Sequence, residues 1–187
     1  MAFVGAPLRD DVIHGDAMIL VASPNRITPY HFDDGTNYLL QIAGDKMLHV
    51  WDEHRGRVVS DEERDLYFSG HPSAARYTHN AQATATAYDL KPGQGVHIPP
   101  LAPHWAQNGN GLSIALSLSY QLKSIKSRAR IHWLNHRLRN LGLSPQPPGT
   151  SRAADAVKRW MADRMQALRR LIRHDPPRAE WAVWKPD

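Results

Sequence analysis

Apolar and polar positions change their rhythm once along this chain. Up to Tyr120 the pattern is one of short extended segments between turns, and from Gln121 it is helical. Residues 17–22 (AMILVA) form a continuous apolar run closed by Ser23-Pro24-Asn25, the signature of a buried strand. Residues 37–43 and 46–51 flank Gly44-Asp45, which predicts a hairpin. Residues 61–79 are polar, with a short helical or irregular look. Residues 83–90 alternate small and β-branched side chains, 91–95 make a turn, and 96–98 form a short strand before the Pro-rich kink at 99–103. Residues 104–107 and the turn at 108–111 lead into 112–120 (LSIALSLSY), a strand with a clear period of two. Many short strands divided by Gly and Pro predict a sandwich or barrel.

Beyond Tyr120, Ile131, Leu134, Leu138 and Leu141 recur at intervals of three and four, an amphipathic helix that Gly142 and Pro145 end. A Pro-rich linker then precedes a second helix over 152–174, stopped by Pro176-Pro177. Its apolar stripe is Val157, Met161, Met165, Leu168 and Ile172, widened by Trp160 and Leu171. The expected organisation is a β barrel over 1–120 and a helical extension over 121–187. A stripe that wide must be buried, so the extension is expected to build a homodimer.

Length and composition narrow the class. A chain of 187 residues reads as one domain by default and buries roughly 70% of its unfolded surface without a staple. With 42% apolar and 22% charged residues it is globular in composition. The absence of cysteine excludes disulfides, thiolate metal sites and cysteine nucleophiles, and fits a cytoplasmic setting. The N-terminal residues lack a basic start and a long apolar run, so no secretory leader is expected. The longest apolar run falls far short of the ~20 residues that span a bilayer. Charge is uneven: residues 1–120 carry 8 basic and 13 acidic side chains, and residues 121–187 carry 15 and 5. The basic tail reads first as a solvated helical surface, with nucleic acid as a less favoured partner.

Eleven histidines without a cysteine direct attention to a metal site. His31-x-Asp33 would put two ligands on one face of a strand, although Asp33-Asp34-Gly35 alone also reads as a turn. A second His-x-Asp, His14-Gly15-Asp16, is expected in a loop before the first strand. His104 follows the stiff Pro-rich segment, 71 residues beyond Asp33. Two histidines and one carboxylate leave open positions on an iron for a co-substrate and dioxygen. His132 and His136 have helical i, i+4 spacing but lack the glutamate of a zinc protease motif, so they are expected at the surface. His49 and His54 flank Trp51 without an evident partner, and Trp105 is a candidate wall of the metal cavity or a core residue. The chain has no phosphate-cradling GxxxxGK[ST], no dinucleotide GxGxxG and no GxSxG elbow.

The run Thr28-Pro29-Tyr30-His31-Phe32-Asp33, then Asn37, then Gln41-Ile42-x-Gly44-x-Lys46, resembles the cupin-like JmjC family, which includes the asparaginyl hydroxylase acting on hypoxia-inducible factor. The later run from Leu90 through His97-Ile98-Pro99-Pro100-Leu101-Ala102-Pro103-His104-Trp105 to Asn108 is similar to that family's distal-histidine segment. The resemblance covers about residues 17–120 and implies a double-stranded β-helix, a cupin or jelly-roll barrel. It implies that His31, Asp33 and His104 bind Fe(II) and that Lys46, assisted by Thr28, holds the distal carboxylate of 2-oxoglutarate. Asn37 would lie near the other end of 2-oxoglutarate or support the strand. Ser117 stands where the hydroxylase has a second amide, and only 30 residues precede His31, fewer than the family's usual lead-in.

The reading is a 2-oxoglutarate-dependent oxygenase, a hydroxylase of a protein side chain or small molecule. A metal-dependent cupin enzyme that does not use 2-oxoglutarate and a non-catalytic cupin-like binding protein are the alternatives.

Overall fold

Short β-rich segments cut by Gly, Pro and Asn cannot continue in one direction, so each must turn and find partners elsewhere in the chain. The computed structural model describes residues 10–52 and 58–172, with side chains through 169. Among the described residues there are eight strands: β1 (Val12–Ala22), β2 (Ile27–His31), β3 (Thr36–Ala43), β4 (Lys46–Val50), β5 (Thr86–Leu90), β6 (Gly95–Ile98), β7 (His104–Asn108) and β8 (Ser113–Leu122). They form two four-stranded antiparallel sheets, ordered β1-β8-β3-β6 and β2-β7-β4-β5. That order is the order of a jelly roll. Leu39, Ile98 and Ala115 of the β1 sheet pack against Leu48, Val50, Leu90 and Ala106 of the β2 sheet. Burying each of the larger side chains contributes about 1.5–3 kcal/mol.

Three sequence expectations change here. Gly44-Asp45 does not close a hairpin: β3 pairs with β6 and β8, and β4 with β5 and β7. The turn instead carries the chain from one sheet to the other. Gly44 has φ +70°, and a Cβ there would lie 2.3 Å from the Leu112 carbonyl oxygen, so glycine is required. The apolar run 17–22 is not buried, because β1 is an edge strand; Ile19 is 74% exposed and Val21 64%. His14-Gly15-Asp16 lies within β1, not in a loop before it, with His14 Nε2 3.0 Å from Asp16 Oδ2.

The helices pack at one end. Helix α1 (Asp61–Tyr67) starts with a full capping box, Ser60 and Glu63 satisfying each other's backbone N–H. Helix α2 (Lys123–Asn140) follows β8 directly and packs on α1, and α3 (Arg152–Ile172) packs on α2. Being covered on both sides, α2 buries five successive residues, Ile131 to Asn135, where a single stripe was expected. Leu141 is an exposed cap. His132 is not a surface residue: its ring is buried, Nδ1 donates to Asp65 Oδ1 at 2.6 Å, and Phe68 stacks on it. The stripe of Val157, Trp160, Met161, Met165 and Leu168 on α3 is exposed. His54, residues 173–174 and the side chains of Leu171 and Ile172 lie outside the described residues. No described helix is long and apolar enough to cross a membrane.

Candidate metal centre

His31 ends β2 and lies directly opposite His104, which begins β7. Opposed residues of an antiparallel pair share a face, and the two rings approach to 4.2 Å between centroids. A one-residue bulge between Thr28 and His31 sets this register. Asp33 sits two residues past the end of the strand, just before the bend at residues 34–35, so the pleat does not place it as the spacing argument supposed. Phe32 does: its ring is buried with Val59 and Leu101, which turns Asp33 back toward the histidines. Asp33 Oδ2 lies 3.8 Å from Nε2 of His31 and 3.8 Å from Nε2 of His104. The three ligand atoms fall within 4.8 Å of one another.

The Pro-rich segment supplies the second half of the anchor. Leu101 N–H donates to the Asp33 carbonyl at 2.7 Å, and Trp51 N–H donates to the Pro103 carbonyl at 2.9 Å. Leu101 is fully buried with φ +61°, a conformation a branched side chain rarely adopts. Its packing and its hydrogen bond hold that strain beside the site.

Both imidazoles are oriented by the backbone. His31 Nδ1 donates to the Pro29 carbonyl at 2.7 Å and His104 Nδ1 to the Ala102 carbonyl at 3.0 Å. That assignment leaves Nε2 of each as a lone pair aimed at the triad, the arrangement metal-binding histidines use. Burial, and then the neighbouring His31, push the His104 pKa below the usual histidine value. The ring is therefore neutral at pH 7 and binds metal without first losing a proton. Two imidazole nitrogens and one carboxylate oxygen on one side could hold a metal ion.

Lys46 is 7% exposed, and Nζ donates to Asn108 Oδ1 at 2.6 Å. Asn108 is neutral, and among the described residues no carboxylate pairs with Lys46; burial lowers its pKa. Lys46 stands opposite Asn108 and Val50 opposite His104, so lysine and histidine share the inner face of the β2 sheet. Thr28, opposite Ala106, is on that face too, at the exposed margin. Asn37 belongs to the other sheet, where Nδ2 donates to Ser117 Oγ at 2.8 Å and Ser119 Oγ at 3.1 Å.

A cleft of about 450 Å³ opens beside the triad, lined by Asp16, Met18, Asp33, Asp34, Asn37 and Ser119 among others. Burial raises the Asp34 pKa. Asp16 was missed in the sequence because its His-x-Asp was read as a loop; the apolar residues after it were the available signal. Trp105 does not wall the metal site. It alternates with His104 and points outward, stacking on His49 at 4.5 Å. Gln82 bonds to both rings, which gives His49 the partner the sequence did not reveal.

No family model and no curated protein matches this sequence. Among solved structures, the chain is similar to one of DMSP lyases at 15% identity and a TM-score of 0.38, over 57% of this chain and 38% of that one. It is similar to the CENP-C cupin domain of Drosophila melanogaster at 11% identity and a TM-score of 0.36, over 54% and 57%. It is also similar to vicilin from hazelnut, Corylus avellana, at 12% and 0.40, over 59% and 22%. In each case the chain spans less than two thirds of the length of the structure it resembles.

Proposed function

We propose that this chain is an Fe(II)- and 2-oxoglutarate-dependent oxygenase, a hydroxylase of a protein side chain or a small molecule. The observation that carries the reading is a two-histidine, one-carboxylate triad whose His104 shares the inner face of a sheet with a buried lysine that pairs with no carboxylate among the described residues. A buried ammonium is costly unless paired. The backbone positions of Lys46 and His104 are about 13 Å apart along their strands, with the buried Leu48 and Ala106 between them on the same face.

In this reading His31, Asp33 and His104 hold the ion, Lys46 and Thr28 hold the distal carboxylate, and Asn37 lies at the far side. Bound Fe(II) with 2-oxoglutarate supplies dioxygen activation, with succinate and carbon dioxide as co-products. The chain's own work is to fix the imidazole tautomers through Pro29 and Ala102 and to present the substrate C–H bond through the cleft. Asp16 and Asp34 at that cleft favour a substrate with a cationic group near its reacting carbon.

One observation favours a second reading, a metal-dependent enzyme that makes no use of 2-oxoglutarate: Asn108 already accepts from Lys46. Anaerobic addition of Fe(II) and 2-oxoglutarate separates the two. The expected result is a visible metal-to-ligand charge-transfer band that Lys46→Ala abolishes while Fe(II) binding, followed by calorimetry, stays nearly unchanged. Iron binding without a band in the wild type would leave the second reading standing. Absence of iron binding would leave a non-catalytic binding protein.

A further inference from the structure

The outer face of the β1 sheet is more apolar than its inner face. Cross-strand partners share a face, so the registers sort the residues directly. On β8 the inward residues are Ser113, Ala115, Ser117 and Ser119. The outward rows carry Ile19 and Val21 from β1, Ile114, Leu116 and Leu118 from β8, and Leu40 from β3. Between Gly15 and Val21 these rows hold no carboxylate, ammonium or guanidinium group. An antiparallel sheet with one wet face normally places its polar side chains there. This sheet inverts that pattern.

The face also has relief. Ile19 and Val21 form an exposed ridge along the β1 edge. At the opposite edge Gly95 has no side chain, and a groove of about 360 Å³ opens among Tyr38, Leu40, Gly95, His97, Leu118 and Tyr120. Tyr38 stacks on His97 at 4.7 Å to form one wall. Ridge and groove lie at opposite margins of one surface.

We propose that this face is the interface of a homodimer in which two β1 sheets pack face to face. A two-fold axis parallel to the strands, between β8 and β3, lays β1 of each copy over β6 of the other. Each Ile19 ridge then enters the partner copy's Gly95 groove, with the sheets at the ordinary spacing of about 10 Å. Four strands about 4.8 Å apart and six residue steps of about 3.4 Å give a footprint of roughly 400 Å² per copy. Two flat faces of that size total roughly 800 Å², and the ridge entering the groove adds side-wall area that brings the interface toward the ~1,000 Å² at which contacts become specific. An uncharged face cannot select a partner by charge, and its own ridge and groove are the complement it offers. Homodimer interfaces are the apolar class.

Sedimentation equilibrium of the full chain tests this, with circular dichroism melting to verify folding. The wild type is expected at twice the chain mass of 21.1 kDa. Ile19→Lys and Val21→Lys alter side chains that are already exposed in the single copy. Each is expected to raise the dimer Kd by about 100-fold or more by burying an ammonium without a partner. Leu168→Glu, on the exposed stripe of α3, is expected to leave the mass unchanged. A monomeric wild type overturns the proposal, and so does a folded lysine variant that remains dimeric. Dissociation by Leu168→Glu with the lysine variants intact also overturns it and moves the interface to the C-terminal helices. If one lysine variant does not fold, the other decides.

Discussion

Tyr30 precedes His31, yet its hydroxyl is buried without a hydrogen-bond partner. Burial foremost, then the charges of Glu63 and Tyr77, push its pKa up to about 12, and burial pushes Tyr67 up to about 12 as well. A buried hydroxyl left unsatisfied costs about 1–3 kcal/mol, so Tyr30→Phe is expected to stabilise the fold by about 1 kcal/mol in urea unfolding. The pH dependence has a definite sign. Unfolded tyrosine loses its proton near pH 10 and the folded residues only near 12, so the unfolded state binds fewer protons between those values. Stability is therefore full below pH 10 and falls as pH rises toward 12, with a shallower fall in Tyr30→Phe. An unchanged slope in that variant would contradict the assignment. Nothing in the sequence marked Tyr30, because a free phenol cannot be told from a satisfied one without neighbours. That His31, Asp33 and His104 come together was legible through the order of the run they share with the cupin-like JmjC family, whereas spacing alone read Asp33 as part of a turn.

At the scale of elements, α1 is too short to hold itself together. It is held by Asp65, whose buried carboxylate accepts from His132 Nδ1 at 2.6 Å and from Arg139 Nε at 2.9 Å, both on α2. Asp65→Ala leaves the buried His132 ring without its acceptor and Arg139 with Glu62 Oε1 at 2.8 Å, and is expected to cost about 3 kcal/mol. Asp65→Asn, which keeps an acceptor, should cost less. Because Phe32 packs against Tyr67 and Phe68 at the end of α1, metal affinity should fall in Asp65→Ala even at temperatures where the chain stays folded. Equal affinity in the folded variant would show that α1 does not support the site. The strands β3, β4, β6, β7 and β8 were readable from periodicity and turn residues. The partners of each strand were not, since Gly44-Asp45 fits a hairpin and a sheet-to-sheet crossing equally well. The period of two in β8 was legible, but its direction was not: small polar residues face the cavity and branched ones face out. His132 escaped because helical spacing cannot show that α2 is covered on two sides.

For the whole molecule, the strand order has a kinetic consequence. No two strands adjacent in sequence pair with each other, except that β4 and β5 do so across the segment that contains α1. The ladder partners nearest in sequence are Val50 and Thr86, and Val12 pairs with Leu122. A chain with no tight hairpin has no local nucleus in its β region, and the entropy of closing long loops comes before any reward from pairing. Refolding is expected in the millisecond-to-second range, slower than for helical proteins of the same size. A chain ending before Ser113 would lack the strand that joins β1 to β3 and should show no cooperative melt. Microsecond refolding, or a cooperative melt in the shortened chain, would count against this. During synthesis, the backbone of β1 must therefore wait, unpaired, until β8 has emerged from the ribosome, and that interval is when this protein most needs a chaperone.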